Sequence, residues 1–149
     1  MARRVYFDAS ALNRPFDDQA QARVRLEAES VEHLLRAVGE GTLEWISSDI
    51  VLFELKKCPD EERREMLELL CQGATHRVAL TQDVSRRARE LRAQGLQDLD
   101  ALHLAAAEQG GAEALLTTDD RLIRAAQALQ SPSRVRVENP VIFELEVFQ

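Results

Sequence analysis

Four acidic residues stand where this chain could bring carboxylates together: Asp8, Glu54, Asp100 and Asp119. Asp8 closes the stretch RRVYFD, directly after Val5, Tyr6 and Phe7, whose side chains favour a pleated strand. Glu54 lies in SSDIVLFEL among apolar neighbours, where a solvated acid is not expected all round. Asp100 lies in DLDALHLAAAE, in the first turn of an expected helix, where the backbone dipole favours a carboxylate. His103, Leu104 and Ala107 share its helical face by i, i+3, i+4 and i+7 spacing. Asp119, in LLTTDDRL, follows an apolar strand-like run.

Each residue taken singly has an ordinary use. Asp8 can cap a strand end, Asp98 or Asp100 can cap a helix, and Asp119 can serve as the N-cap of the last helix. Glu54 can pair with Lys57 three residues on. His103 reads as a core residue or a support for a neighbour rather than a ligand. Gathered together, the four carboxylates would repel one another unless a cation neutralised them. Hard divalent ions such as Mg2+ and Mn2+ take oxygen ligands and keep several waters. They lower the pKa of a bound water and neutralise charge growing on a phosphoryl group. An all-oxygen site therefore points to metal-assisted phosphodiester hydrolysis.

The elements that must position these acids alternate. Residues 4–7 form a first strand, and an amphipathic helix runs over about 19–38, with Val24, Val31, Leu34, Leu35 and Val38 in helical register. Residues 43–47 form a second strand, and Ser48 caps the helix that carries Glu54. Pro59 begins a further helix running to Leu70. Residues 76–80, 112–117 and 134–137 read as strands, separated by helices over 82–94, 98–108 and 119–129. The tail VIFELEVF fits either strand alternation or a short helix. Strands separated by helices imply a parallel sheet covered on both faces. Such sheets bind ligands beyond the carboxyl ends of their strands, where the strand order reverses. With the order 3-2-1-4-5, Asp8 and Asp119 face each other across that crevice.

Composition sets the outer bounds. The 149 residues suit one domain, 1–149, with 45% hydrophobic and 30% charged residues. No apolar run approaches a membrane span, and only three apolar residues follow the N-terminal arginines, too few for a signal-peptide core. A cytoplasmic protein is expected. Cys58 and Cys71 make no zinc pattern and read as idle thiols. A net charge of -7 argues against general nucleic-acid coating but not against an enzyme with acids gathered in one pocket.

VYFDASALNRPF, SSDIVLFEL, LDALHLAAAE and LLTTDDRL, in that order along nearly the whole chain, together resemble the PIN-domain ribonucleases. The likeness is strongest to the VapC-like subgroup, the toxins of type II toxin–antitoxin pairs. The resemblance implies an α/β fold, a three-layer α/β/α sandwich around a five-stranded parallel sheet of order 3-2-1-4-5. It implies a Mg2+- or Mn2+-dependent endoribonuclease whose metal site comprises Asp8, Glu54, Asp100 and Asp119. Asp98 competes with Asp100, and Asp120 with Asp119, for the matching positions. Ser10 and Thr117 match the supporting hydroxyls, and Arg14 is a candidate for RNA phosphate. A homodimer and a small antitoxin are the partners implied, beside the RNA substrate.

The chain departs from many VapC toxins in the NRPFDDQ stretch, where Asn13, Arg14, Asp17 and Asp18 shape an RNA entrance or cap the long helix. A second reading keeps the fold but makes the protein a regulatory or RNA-binding module with little nuclease activity. Phosphotransfer folds fit poorly. A haloacid-dehalogenase-like enzyme wants an acid where Ser10 stands, and a receiver domain wants one near Leu80-Thr81.

Overall fold

A computed structural model describes residues 3–148. Five strands form one sheet in the order β3-β2-β1-β4-β5, every neighbouring pair parallel. They are β1 (Arg3–Phe7), β2 (Leu43–Ser48), β3 (His76–Val78), β4 (Ala114–Leu116) and β5 (Arg136–Glu138). The order reverses between β1 and β4, as the alternating pattern implies, and the register sets Phe7 opposite Leu116. Asp8 and the turn after β4 therefore leave the same end of the sheet side by side. The Asp8 N–H extends the pairing by donating to the Leu116 carbonyl at 3.1 Å.

Helices cover both faces. The helices are α1 (Ala9–Asn13), α2 (Ala22–Gly39), α3 (Asp49–Leu55), α4 (Glu61–Cys71), α5 (Gln82–Ala93), α6 (Asp98–Gln109), α7 (Asp120–Gln127) and α8 (Pro140–Val147). Strand alternation divides the core. Phe7 and Trp45 meet edge to face on one side of the sheet, with ring centroids 5.7 Å apart. Tyr6 points to the other side, toward α6. The alanine-rich α6 lies close to the sheet because Gly110 ends it without a side chain. A Cβ there would stand 2.5 Å from Ile46 Cγ2.

Local details add to or change the expectations. Directly after Asp8 the chain enters α1, followed by a 3-10 turn over Arg14–Phe16. Asp60, not Pro59, begins α4, its side chain accepting from Arg63 N–H at 3.1 Å. The tail, whose pattern fits either a strand or a short helix, is helix, because Asn139 caps it through Val141 N–H and Pro140 supplies the first helical position. Strands β3, β4 and β5 are shorter than their hydrophobic runs suggest, spanning 76–78, 114–116 and 136–138.

Candidate metal centre at the switch point

Asp8 is 5% exposed and is the N-cap of α1. Its Oδ1 accepts from Ser10 Oγ at 2.6 Å and from Ala11 N–H at 2.9 Å. Burial pushes its carboxyl upward; the neighbouring His103 ring and hydrogen bonds from Ser10, Thr117 and Ala11 pull the other way. Capping and a functional role are thus not rivals at this position, because the cap fixes one oxygen of a carboxylate buried at the mouth of the crevice.

Ser10 and Thr117 stitch the two chain segments together. The Ser10 hydroxyl gives its one proton to Asp8, so it can only accept from Thr118 N–H at 3.1 Å. Thr117 Oγ1 lies 3.3 Å from Ser10 Oγ and accepts from Asp119 N–H at 3.1 Å. Asp119 then caps α7, its Oδ1 accepting from Arg121 N–H at 2.9 Å. Hydroxyls from both segments fix Asp8 relative to the turn bearing Asp119.

Asp100 is half-buried in the first turn of α6, and its carboxyl is pushed up to about 6. Burial is the main cause, followed by the negative charge of Asp119 and, more weakly, of Asp8 and Glu54; His103 opposes them. Asp119, Asp8 and Glu54 therefore all act on Asp100 through space. Asp98, by contrast, pairs with Arg92 on the surface at 2.7 Å. Asp120 points to Arg23.

Glu54 stands in the last turn of α3, a helix capped by Ser48 through Val51 N–H at 3.2 Å. Its partner is not Lys57, whose ammonium lies 4.3 Å from the centroid of the Phe53 ring. Glu54 Oε1 instead meets Nε2 of His103, a residue only 1% exposed. His103 Nδ1 lies 2.7 Å from Tyr6 Oη, which lies 2.6 Å from Ser48 Oγ. Burial keeps the Tyr6 phenol protonated well above its ordinary range.

An open depression of about 460 Å³ is lined by Glu54 and Ser10 together with Asn13, Lys57 and Arg63. Arg14 points away into a charge network. Its Nε donates to Glu27 Oε1 at 2.7 Å and its Nη1 to Asp17 Oδ2 at 3.1 Å. Arg63 takes the other oxygen of Asp17 at 2.5 Å and the side chain of Asn13 at 3.0 Å. Glu27, 1% exposed, also accepts from Arg23 at 3.1 Å and from Asn139 at 2.5 Å. The spacing of the motifs does not point to Glu27 or Tyr6. The heptad-like run of α2 marks Glu27 only as an acid beside an apolar stripe.

The donor set suits a hard cation in kind, being four carboxylates whose mutual repulsion already perturbs Asp100. Among the described residues no group of three or more His, Cys, Asp or Glu side chains is close enough to hold an ion as it stands. Among the described residues no helix is long and apolar enough to cross a membrane.

The PIN domain family model matches residues 5–128. No curated protein sequence matches the chain. Among solved structures, VapBC2 from Rickettsia felis, crystallised with a DNA fragment from its promoter, superposes with a TM-score of 0.62 at 13% identity. That match covers 91% of this chain and 98% of the other. VapC20 from Mycobacterium tuberculosis, described as a sarcin–ricin-loop-cleaving toxin, superposes with a TM-score of 0.58 at 16% identity. It covers 81% of this chain and 94% of its own. These likenesses establish the fold.

Proposed function

Because the chain belongs to the PIN-domain family, we propose that it is a Mg2+- or Mn2+-dependent endoribonuclease acting at Asp8, Glu54, Asp100 and Asp119. The observation that carries this reading is Asp100, raised to about 6 by burial and by the charges of the three other acids. Carboxylates held in mutual repulsion at a switch point have a use for a divalent cation and little use without one.

The bound cation would supply an acidified water and charge neutralisation at the phosphoryl group. Asp8, Asp100 and Asp119 would hold it directly or through water. Glu54 would orient the attacking water and accept its proton. Ser10 and Thr117 keep the Asp8 and Asp119 segments in register through the hydrogen bonds described above. Lys57 and Arg63, lining the groove beside Glu54, offer cations to backbone phosphates. Arg14 would meet a phosphate only through the N–H groups not given to Glu27 and Asp17.

We further assign the protein to the toxin role, with a small antitoxin as its partner. We assign the apolar pocket of about 390 Å³ formed by Ile50, Phe53, Leu80, Leu99 and Leu102 to a second copy of the chain. Phe53 and Leu80 are more than half exposed, which favours burial in an assembly. Size-exclusion chromatography at micromolar concentration should give a dimer; a monomer counts against that assignment. The function itself is tested by incubating structured and unstructured RNA with the pure protein and Mn2+, Mg2+ or EDTA. Cleavage with either cation and none with EDTA is expected. Cleavage indifferent to EDTA would remove the metal from the account.

A further inference from the structure

One side of Glu54 is held by a run of hydrogen bonds that begins at the cap of its own helix. Val51 N–H donates to Ser48 Oγ at 3.2 Å. Ser48 Oγ is 2.6 Å from Tyr6 Oη on β1, and Tyr6 Oη is 2.7 Å from His103 Nδ1 on α6. His103 Nε2 then reaches Glu54 Oε1, in the last turn of the same helix that Ser48 begins. The path leaves α3, crosses a strand and a second helix, and returns to α3. Ser48, Tyr6 and His103 are all essentially without solvent contact, so no water competes for these bonds.

The run has a direction. A Glu54 carboxylate can only accept, so His103 Nε2 carries a proton, and in the neutral imidazole Nδ1 is left as an acceptor. Tyr6 must then donate to Nδ1. Having one proton only, it must accept from Ser48. Ser48 donates to Tyr6 and accepts from Val51 N–H, which is fixed by the helix start. Run in reverse, the chain leaves the Ser48 proton without an acceptor among the described residues. A buried hydroxyl proton without a partner is costly.

We propose that Tyr6 and His103 are positioning residues: the Tyr6 hydroxyl holds His103 Nδ1, and Nε2–H on the other side of the ring holds Glu54 in a single orientation. One oxygen of Glu54 is committed to His103, and the side chain lines the open depression beside Ser10. This rests on the nuclease reading for its consequence, but not for the direction of the chain. A carboxylate from a short helix at the edge of an acidic site would otherwise swing toward the nearby Lys57. The anchored imidazole opposes that swing and fixes where the carboxylate meets water or cation.

The test uses Tyr6→Phe, which keeps the buried ring and removes only the hydroxyl. In the metal-free wild type, ring 15N–1H correlations of His103, assigned with His103→Gln, should give a protonated Nε2 and an unprotonated Nδ1. In Tyr6→Phe, Nε2 should stay protonated toward Glu54 while the Nδ1 resonance moves to that of a ring nitrogen that has lost its donor. With Mn2+ and RNA, kcat should fall about tenfold to a hundredfold while KM is unchanged. His103→Gln, whose amide can still donate to Glu54, should recover more activity than His103→Ala. A wild-type His103 protonated on Nδ1, or a Tyr6→Phe variant with the wild-type Nδ1 shift, would overturn the proposed direction. A shifted pattern with kcat intact would overturn the positioning role. A wild type that cleaves no RNA would sink the nuclease reading separately, with the 15N patterns still deciding the direction of the chain.

Discussion

Arg23 grips Asp120 through two parallel hydrogen bonds, Nη1 to Oδ2 at 2.9 Å and Nη2 to Oδ1 at 2.8 Å. This fork–fork pairing takes Asp120 out of competition with its neighbour. Asp119 caps α7 and acts on Asp100 through space, whereas Asp120 faces outward to α2. Two adjacent acids with the same motif fit thus have different surroundings.

A pair of substitutions separates them. Asp119→Asn should abolish most Mn2+-dependent cleavage, losing about a hundredfold or more in kcat. Asp120→Asn breaks a surface ion pair and should cost no more than about fivefold. Steady-state kinetics on one RNA substrate checks both; equal losses would show that the pairing with Arg23 does not divide their roles.

Glu27 gives a prediction about stability. Its carboxylate is buried between Arg14 and Arg23 and also holds Asn139, the cap of α8. Glu27→Ala leaves two guanidinium groups without their shared anion and should cost about 3 kcal/mol in urea denaturation. Glu27→Gln keeps one acceptor and should cost less. A change within about 0.5 kcal/mol for Glu27→Ala would mean that the network contributes little to folding.

Asp100 makes the metal-free protein sensitive to pH. Its folded-state value of about 6 lies above its ordinary 3.8, so between those values the folded chain binds more protons than the unfolded one. Stability without metal should therefore fall as pH rises from about 4 to 6 and stay low above. Asp100→Asn removes the ionisation and should stabilise the metal-free protein at pH 7 by about 1 kcal/mol, allowing for solvent screening of a half-exposed group. Melting curves in EDTA at several pH values measure this. A less stable Asp100→Asn at pH 7 would contradict it.

Cation binding should reverse that penalty. Mn2+ at a hundred times its dissociation constant should stabilise the wild type by about 2.7 kcal/mol. The gain should grow as pH rises through 6, since protonated Asp100 competes with the ion. Melting temperatures unchanged by Mn2+ at pH 7 would speak for the non-catalytic module instead.

The sheet and its switch point were legible because Val5, Tyr6, Phe7, Leu115 and Leu116 form short apolar runs that only a strand buried on both faces explains. The grouping of Asp8 with Asp119 followed from strand order rather than from either motif alone. What the sequence concealed depends on partners far along the chain. Tyr6 reaches Ser48 and His103 across 42 and 97 positions, and no periodicity encodes which hydroxyl meets which nitrogen. The role of NRPFDDQ was hidden for the same reason: Arg14 and Asp17 find Glu27 and Arg63 only once α2 and α4 have packed. The α8 tail was readable in principle, since Asn139-Pro140 is a helix-start signal that the period-two pattern of VIFELEVF obscured.

The central claim is that the carboxylates at the switch point, Asp8 first among them, carry cation-dependent RNA hydrolysis. Its most direct test is the Mn2+-dependent cleavage rate of Asp8→Asn beside the wild type, with both shown to be folded by circular dichroism. The wild type should cleave and the variant should lose about a hundredfold or more. Equal rates in the two proteins would contradict the claim.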